Sequence, residues 1–218
     1  MMKNEDTFSV YGIEEEHAPI IELNAATHEE ITALVEYCSF ASYKAAIQTN
    51  WLAALQEEAR TLFSNAVYAE QQEQLAYSAH VTGLGPVADR FLRHKSVSNL
   101  LTTYFGATFE LSEEISCLTF YSTSDHLGPH LDKPAERCSV TIIIYIFAES
   151  PDPAATDTGL LLNVYGGNHS SISSQKLQIP SIPGTIVLGR GSEVWHERPR
   201  LKQGERVTAI TGCFHALS

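Results

Sequence analysis

The feature that most constrains the fold is a series of short runs in the second half of the chain that are rich in β-branched and aromatic residues. The runs occupy residues 115–122, 140–147, 159–165, 184–188 and 207–214. Clusters of Gly, Pro, Asp and Ser separate them, which is typical of strands joined by turns. Many short strands of this kind predict a β-sandwich or a small barrel such as a jelly roll.

The first half of the chain has a different periodicity. After a short predicted strand at 20–23, apolar residues recur at steps of three and four, which predicts helices. The helices are expected at 27–38, 51–67 and 86–105. Thr27 and Glu30 have the spacing of a capping box at the start of the first helix.

These patterns predict an α+β fold in a single domain, residues 1–218. The mainly helical scaffold, residues 1–106, is expected to pack on one face of the β core. The β core, residues 107–218, is expected to carry the functional site.

Composition excludes some functions. The formal net charge of −12 disfavours nucleic acids and anionic membrane surfaces as partners. The first residues lack a signal-peptide pattern, and no apolar run is long enough to cross a bilayer, so a soluble cytoplasmic protein is expected. None of the 4 cysteines shows CxxC spacing, which indicates small buried side chains rather than a zinc site or a disulfide framework. The sequence does not indicate the oligomeric state.

Candidate metal ligands lie within the β region. In an extended segment, residues two apart point to the same face, so His130 and Asp132 can reach one ion together. This HxD pattern is weak by itself, but His196, after a later predicted strand, supplies a second imidazole. Two imidazoles and a carboxylate on one face of iron(II) leave neighbouring positions open for oxygen chemistry.

A candidate anion site follows. Arg206 lies ten residues after His196, and a turn at Gly204 would return the chain as a strand. An arginine that points into a β core needs an anion to meet it, and a dicarboxylate would bind it in bidentate geometry. Thr208 shares its face by alternation and would donate its hydroxyl to the same carboxylate.

Taken in order, these elements resemble the iron(II)/2-oxoglutarate-dependent dioxygenases, especially their prolyl-hydroxylase-like branch. The resemblance covers residues 115–214, nearly half of the chain. It implies a double-stranded β-helix, a form of jelly roll, whose cofactors are Fe(II), 2-oxoglutarate as cosubstrate and O₂. By this resemblance the catalytic metal ligands are His130, Asp132 and His196.

The resemblance also assigns a cosubstrate site. Arg206 would bind the distal carboxylate of 2-oxoglutarate, and Thr208 or Tyr145 would hydrogen-bond to it, with Tyr121 as the alternative to Tyr145. The implied reaction hydroxylates a C–H bond and releases succinate and CO₂. Asp132 favours hydroxylation over halogenation, because halogenating members of the family usually lack this carboxylate, and desaturation and ring formation are the open alternatives.

Three further residues are candidates for binding the substrate: Arg198, His126 and Arg137. Arg198 should share the face of His196 and would suit a substrate with a carboxylate, although a surface salt bridge is the alternative. We expect a small metabolite or an amino-acid-like substrate. The alternatives are a protein hydroxylase of the prolyl type and a cupin-like barrel that binds a metal or ligand without catalysis.

Overall fold

In the computed structural model, the protein is described over residues 11–14, 17–21, 39–71, 75–168 and 171–217. The helix predicted at 27–38 lies outside these residues. The predicted strand at 20–23 lies partly outside them, and Ile20 within it forms an isolated antiparallel bridge with Ile47.

Three helices and twelve strands follow one another along the described chain. They are β1 (Phe40–Tyr43), α1 (Thr49–Leu62), β2 (Val67–Gln71), β3 (Tyr77–Gly83), α2 (Pro86–Arg93), α3 (Lys95–Phe105), β4 (Phe109–Leu111), β5 (Cys117–Tyr121), β6 (His126–His130), β7 (Val140–Glu149), β8 (Leu161–Asn168), β9 (Ser171–Pro180), β10 (Ile186–Gly189), β11 (His196–Arg198) and β12 (Arg206–Ala216). Short 3-10 turns occupy Phe63–Asn65 and Glu113–Ile115.

The strands form a nearly closed antiparallel barrel with the order β1-β10-β7-β12-β5-β3-β6-β11-β8-β9. The strands from β5 to β12 form two layers on opposite sides of the barrel. One layer has the order β10-β7-β12-β5, and the other has the order β6-β11-β8-β9. This arrangement is the double-stranded β-helix, or jelly roll, that the sequence predicted. All five strands predicted in the second half of the chain are present, and the α+β class with helices on one face is confirmed.

The β10-β7-β12-β5 layer separates two apolar cores. The larger core lies between this layer and the helices, where Trp51 and Phe91 pack edge to face with ring centroids 5.8 Å apart. Ile142 and Ile144 of β7 reach it from the sheet. The smaller core fills the barrel interior and contains Tyr145 from the opposite face of β7. Strand alternation therefore directs each residue of this layer to the helices or to the interior.

The helical region differs from the prediction in two places. Helix α1 ends at Leu62, before the predicted end at Val67, because the chain turns through the 3-10 segment Phe63–Asn65 into the β2–β3 hairpin. This hairpin was not predicted, and β3 is held by its pairing with β5 and β6. The helix predicted at 86–105 is two helices, with His94 capping the second and Gly106 ending it in left-handed geometry at φ 70°. No helix of the described chain is long and apolar enough to span a membrane.

The prediction for the cysteines is wrong for two of them. Cys138 and Cys213 form a disulfide across 75 residues of sequence, with Cα atoms 4.7 Å apart. Register between β12 and β7 places Cys213 opposite Thr141, three residues after Cys138. The two cysteines are close because their strands pair in the sheet. Motifs such as CxxC, in which cysteines are near each other in the sequence, cannot reveal such a pair.

Buried Glu58 joins α1 to α2. Its carboxylate accepts hydrogen bonds from the backbone N–H groups of Val87 (2.6 Å) and Ala88 (2.9 Å), which begin α2. A Cβ at Gly85 would lie 2.3 Å from this carboxylate, so the close approach requires glycine. Burial raises the pKa of Glu58, while the two N–H groups act to lower it. The carboxylate thus satisfies donors that have no partner within their own helix.

We predict that Glu58→Ala will lower the free energy of unfolding by about 1–3 kcal/mol, because two buried N–H donors lose their acceptor. Chemical denaturation monitored by circular dichroism measures this change. Glu57→Ala is the matched control, since Glu57 is an exposed neighbour that pairs only with Arg60. An exposed substitution should change stability by no more than about 0.5 kcal/mol. Equal effects of the two variants would contradict the role of Glu58.

Candidate metal centre

The pairing of β6 with β11 builds the centre. In this antiparallel pair His130 lies directly opposite His196, and the imidazole centroids are 4.2 Å apart. Opposed residues of neighbouring strands place their side chains on the same face of the sheet. Both rings therefore point into the barrel, where His196 is 3% exposed and also contacts the ring of Phe40.

Asp132 completes a three-residue cluster. It follows β6, and its Oδ1 lies 3.3 Å from Nε2 of His130 and 3.5 Å from Nε2 of His196. The potential ligand atoms of the three residues all lie within 4.8 Å of one another. The structure thus brings together the three residues that the sequence proposed as metal ligands.

Backbone carbonyls fix both imidazoles. Nδ1 of His130 lies 2.9 Å from the carbonyl of Gly128, and Nδ1 of His196 lies 2.9 Å from the carbonyl of Val194. A carbonyl oxygen can only accept, so each Nδ1 carries a proton, and each Nε2 is the ring atom that faces the cluster. Such hydrogen bonds hold the tautomer and the orientation of histidines that bind metals. The donor set therefore fits a divalent transition metal.

Thr141 and Gly191 position the carboxylate. The hydroxyl of Thr141, at the start of β7, donates to Oδ2 of Asp132, which leaves Oδ1 facing the imidazoles. The N–H of Asp132 donates to the carbonyl of Gly191 at 2.9 Å. A Cβ at Gly191 would lie 1.9 Å from Oδ2 of Asp132, so only glycine leaves room for the carboxylate.

The electrostatics keep Asp132 ionised. Burial acts to raise the pKa of Asp132, but the imidazoles of His196 and His130 lower it well below its ordinary value. Burial lowers the pKa of His130, and the neighbouring His196 lowers it further. For His196 the burial effect is outweighed by Asp132, which raises its pKa. The cluster therefore offers a carboxylate oxygen together with at least one neutral imidazole.

Arg198 lies on the same face of β11 as His196, as alternation predicted. It is 4% exposed, so the alternative of a surface salt bridge is wrong. Its guanidinium donates to the hydroxyl of Tyr145 (3.0 Å), the hydroxyl of Ser181 (3.0 Å) and the carbonyl of Leu161 (3.4 Å). None of these acceptors is anionic, and no acid of the described chain forms an ion pair with Arg198.

Two tyrosines flank this buried cation. The guanidinium carbon of Arg198 lies 5.2 Å from the ring centroid of Tyr121 and 5.3 Å from that of Tyr145. Tyr121 is 7% exposed, and its hydroxyl forms no hydrogen bond within the described residues. Burial raises the pKa of Tyr121, so the phenol keeps its proton. A protonated hydroxyl beside an unneutralised arginine is arranged to donate to an anion.

The metal cluster and Arg198 share one cavity inside the barrel, of ≈ 60 Å³. We call it the inner cavity; besides the metal cluster and Arg198 it is lined by Tyr121, Leu127, Thr141, Ile143, Leu162, Ala209 and Thr211. Leu127, Ile143, Leu162 and Ala209 form its aliphatic wall, and Thr211 adds a hydroxyl to the polar groups at the metal cluster and at Arg198. The metal cluster and the buried cation therefore face one shared space.

The placement predicted for Arg206 and Thr208 is wrong. Arg206 is exposed, and both residues line a separate cavity on the helix-facing side of β12. Val207, between them, and Ala209 fill the barrel interior. Alternation along β12 therefore directs Arg206 and Thr208 away from the metal cluster, as a pair.

The structure also moves two candidate substrate residues away from the site. A register shift between β6 and β11 places Leu127 opposite Arg198, so Leu127 rather than His126 faces the inner cavity. His126 instead contacts the hydroxyl of Ser78 and the guanidinium of Arg200. Arg137 is exposed and forms an ion pair with Glu114. Neither His126 nor Arg137 lines the inner cavity.

Sequence reasoning missed three residues of the site: Thr141, Gly191 and Ser181. Thr141 is the one polar hydroxyl near the start of the otherwise apolar segment 140–144, which was a usable signal. Gly191 lies in a Gly-Arg-Gly-Ser segment shortly before His196, but nothing local indicates which glycine faces a carboxylate. Ser181 reaches Arg198 only through the pairing of distant strands.

We predict that Gly191→Ala will weaken binding of Fe(II) or Co(II) at least about tenfold, because a methyl group must displace Asp132. Isothermal titration with Co(II) under anaerobic conditions measures the affinity. Gly83→Ala is the matched control, since a Cβ there would meet nothing within 4 Å. Unchanged affinity in a folded Gly191→Ala protein would show that Asp132 does not hold the ion as described.

Comparison with known proteins yields structural matches alone, since no protein-family model matches the sequence and no curated protein gives a significant match. A prolyl-4-hydroxylase from Pseudomonas putida aligns with TM-score 0.64 and 16% identity, over 87% of this chain and 98% of that chain. The epimerase SnoN, in complex with Fe³⁺, alpha ketoglutarate and nogalamycin RO, aligns with TM-score 0.68 and 11% identity over 88% and 85%.

A prolyl hydroxylase from Trichoplax adhaerens, in complex with a peptide fragment of hypoxia inducible factor, aligns with TM-score 0.63 and 12% identity over 89% and 94%. Sequence identities this low concern the fold and not the activity. The three alignments cover most of both chains and include the β barrel that carries the cluster. The chain therefore has the double-stranded β-helix fold found in these hydroxylases and in SnoN.

Proposed function

We propose that this protein is an iron(II)- and 2-oxoglutarate-dependent oxygenase that hydroxylates a C–H bond of a small metabolite or amino-acid-like substrate. The observation that carries the proposal is the pairing, in one cavity, of a His-Asp-His cluster with a buried arginine that has no anionic partner among the described residues. The overall reaction is RH + 2-oxoglutarate + O₂ → ROH + succinate + CO₂. SnoN, which shares the fold, is described in complex with Fe³⁺ and alpha ketoglutarate.

The metal would be held by Nε2 of His130, Nε2 of His196 and Oδ1 of Asp132. Iron(II) bound there would supply the redox chemistry that couples decarboxylation of 2-oxoglutarate to oxidation of the substrate. The protein contributes the fixed orientation of these donors. Each imidazole is locked by a carbonyl and the carboxylate by Thr141, so the donors are aligned before a ligand enters.

Arg198 would bind the distal carboxylate of 2-oxoglutarate. Arg198 lies two positions after His196, which is about 7 Å along an extended strand. A five-carbon dicarboxylate can bridge a separation of this size between a metal and a cation. Tyr121 would donate its free hydroxyl to the same carboxylate, and Tyr145 and Ser181 hold the guanidinium in place. Burial of an arginine is costly without an anion, and the carboxylate would supply one.

A cupin-like barrel that binds only a metal or a ligand fits these observations less well. Such a barrel has no need of a buried, unneutralised arginine two residues from a metal ligand. Hydroxylation of a prolyl residue in a protein remains the closest alternative within the enzyme class. Both prolyl hydroxylases and SnoN share the fold, so the substrate assay includes free metabolites and peptides.

The activity is tested by succinate release from the purified protein with Fe(II), ascorbate, 2-oxoglutarate and O₂. The substrates are a panel of amino acids, related carboxylates and a proline-containing peptide. We expect stimulated succinate release by a member of the amino-acid-like set, with product mass increased by one oxygen, and no release by His196→Ala. The oxygenase proposal would be contradicted if the wild-type protein binds Fe(II) but consumes no 2-oxoglutarate, either alone or with any of the substrates. Stimulation by the peptide alone would favour the protein hydroxylase.

The cosubstrate assignment gives a separate prediction. Arg198→Met should weaken 2-oxoglutarate binding at least about tenfold, because a charge-assisted hydrogen bond contributes about 1.5–3 kcal/mol. Arg206→Met is the matched control and should leave the affinity unchanged, since Arg206 lies on the other face of the sheet. Anaerobic titration of the Fe(II)-loaded proteins with 2-oxoglutarate measures both. The reverse result would return the anion site to Arg206.

A further inference from the structure

A second and larger cavity, of ≈ 530 Å³, lies on the helix-facing side of the sheet. We call it the outer cavity; the residues that define it here are Arg60, Phe63, His80, Phe120, Arg206 and Thr208. It is formed where the end of α1 crosses the end of β5 and the start of β12. Tyr121 lines both the outer cavity and the inner cavity.

The walls of the outer cavity are aromatic. The ring of Phe63 is 52% exposed, although it packs edge to face on Phe120 at 5.1 Å and against His80 at 5.7 Å. A concave site with aromatic walls, a few polar groups and a volume of a few hundred Å³ is typical of small-molecule sites. The wall chemistry suits a flat apolar body that lies along the rings of Phe63 and Phe120.

The polar groups of the outer cavity are cationic on balance. Arg206 is exposed and forms no ion pair within the described residues, although Glu149, its register partner across β12 and β7, also lines the outer cavity. The hydroxyl of Thr208 lies on the same face. Arg60 is the second guanidinium, placed over the ring of Phe147 at 5.0 Å and paired with Glu57. Arg206 is therefore the guanidinium available to bind a carboxylate.

We propose that the outer cavity is a binding site for a small organic anion with a planar apolar body, such as an aryl carboxylate. Its carboxylate would contact Arg206 and Thr208, and its ring would lie against Phe63 and Phe120. The outer cavity of ≈ 530 Å³ is far larger than the inner cavity of ≈ 60 Å³, so a bulky two-ring ligand is expected to select the outer cavity. The proposal does not depend on the oxygenase activity, because the outer cavity contains no residue of the metal cluster.

The probe is 2-naphthoate, and its uncharged match is 2-naphthamide. Isothermal titration of each probe against the full chain gives the dissociation constants. We expect saturable binding of one 2-naphthoate, with Arg206→Met weakening it at least about tenfold through loss of a charge-assisted contact. Phe63→Ala should weaken it as well, and 2-naphthamide should bind the wild type at least about tenfold less tightly than 2-naphthoate.

Two control variants locate the ligand. Arg137→Met removes an exposed arginine that is paired with Glu114 elsewhere on the surface, and it should leave the affinity unchanged. Arg198→Met should also leave it unchanged, because Arg198 belongs to the inner cavity. Absence of saturable binding by the wild type, or equal binding by folded Arg206→Met, would overturn the proposal. Loss of binding in Arg198→Met would overturn it too, because the probe would then occupy the barrel interior.

Discussion

The functional architecture depends on the register between β6 and β11. With His130 directly opposite His196, one antiparallel contact between two short strands brings two imidazoles from distant parts of the chain to one point. Asp132 is then supplied by the chain that leaves β6. A shift of this register by one residue would turn one imidazole to the outside of the barrel, because the side-chain period of a strand is two.

The same strand pair also decides where an anion can be bound. Because β11 continues from His196 to Arg198 with its alternation intact, the arginine enters the barrel on the face of the metal cluster. On the opposite layer, β12 directs Val207 inward and so turns Arg206 and Thr208 outward. Arg198 therefore lines the inner cavity and Arg206 lines the outer cavity, on opposite faces of the barrel wall. Tyr121 lines both cavities.

The rest of the chain holds these strands in position. The helices cover the outer face of the β10-β7-β12-β5 layer and form the larger apolar core, which leaves the barrel interior free for a smaller core and a cavity.

Glu205 is a second buried carboxylate that connects segments of the chain, like Glu58. It accepts hydrogen bonds from the N–H groups of Gly159 (2.9 Å) and Lys202 (2.7 Å) and so joins two loops. A Cβ at Gly159 would lie 2.5 Å from the carbonyl of Arg200, which explains glycine at this position.

The sequence alone determined the strand-rich core and the helical face, because these follow from local periodicity. The HxD spacing indicated His130 and Asp132, whereas His196 was chosen from its place after a later predicted strand and from the family resemblance. Alternation also placed Arg198 beside His196 correctly, since both lie on one regular strand. Tertiary structure decided what depends on pairing between distant strands: the inward face of β12, the register shift that turns His126 away, and the Cys138–Cys213 disulfide. A strand has two faces, and its own sequence says which residues share a face. Only packing against the other strands and the helices decides which face becomes the interior.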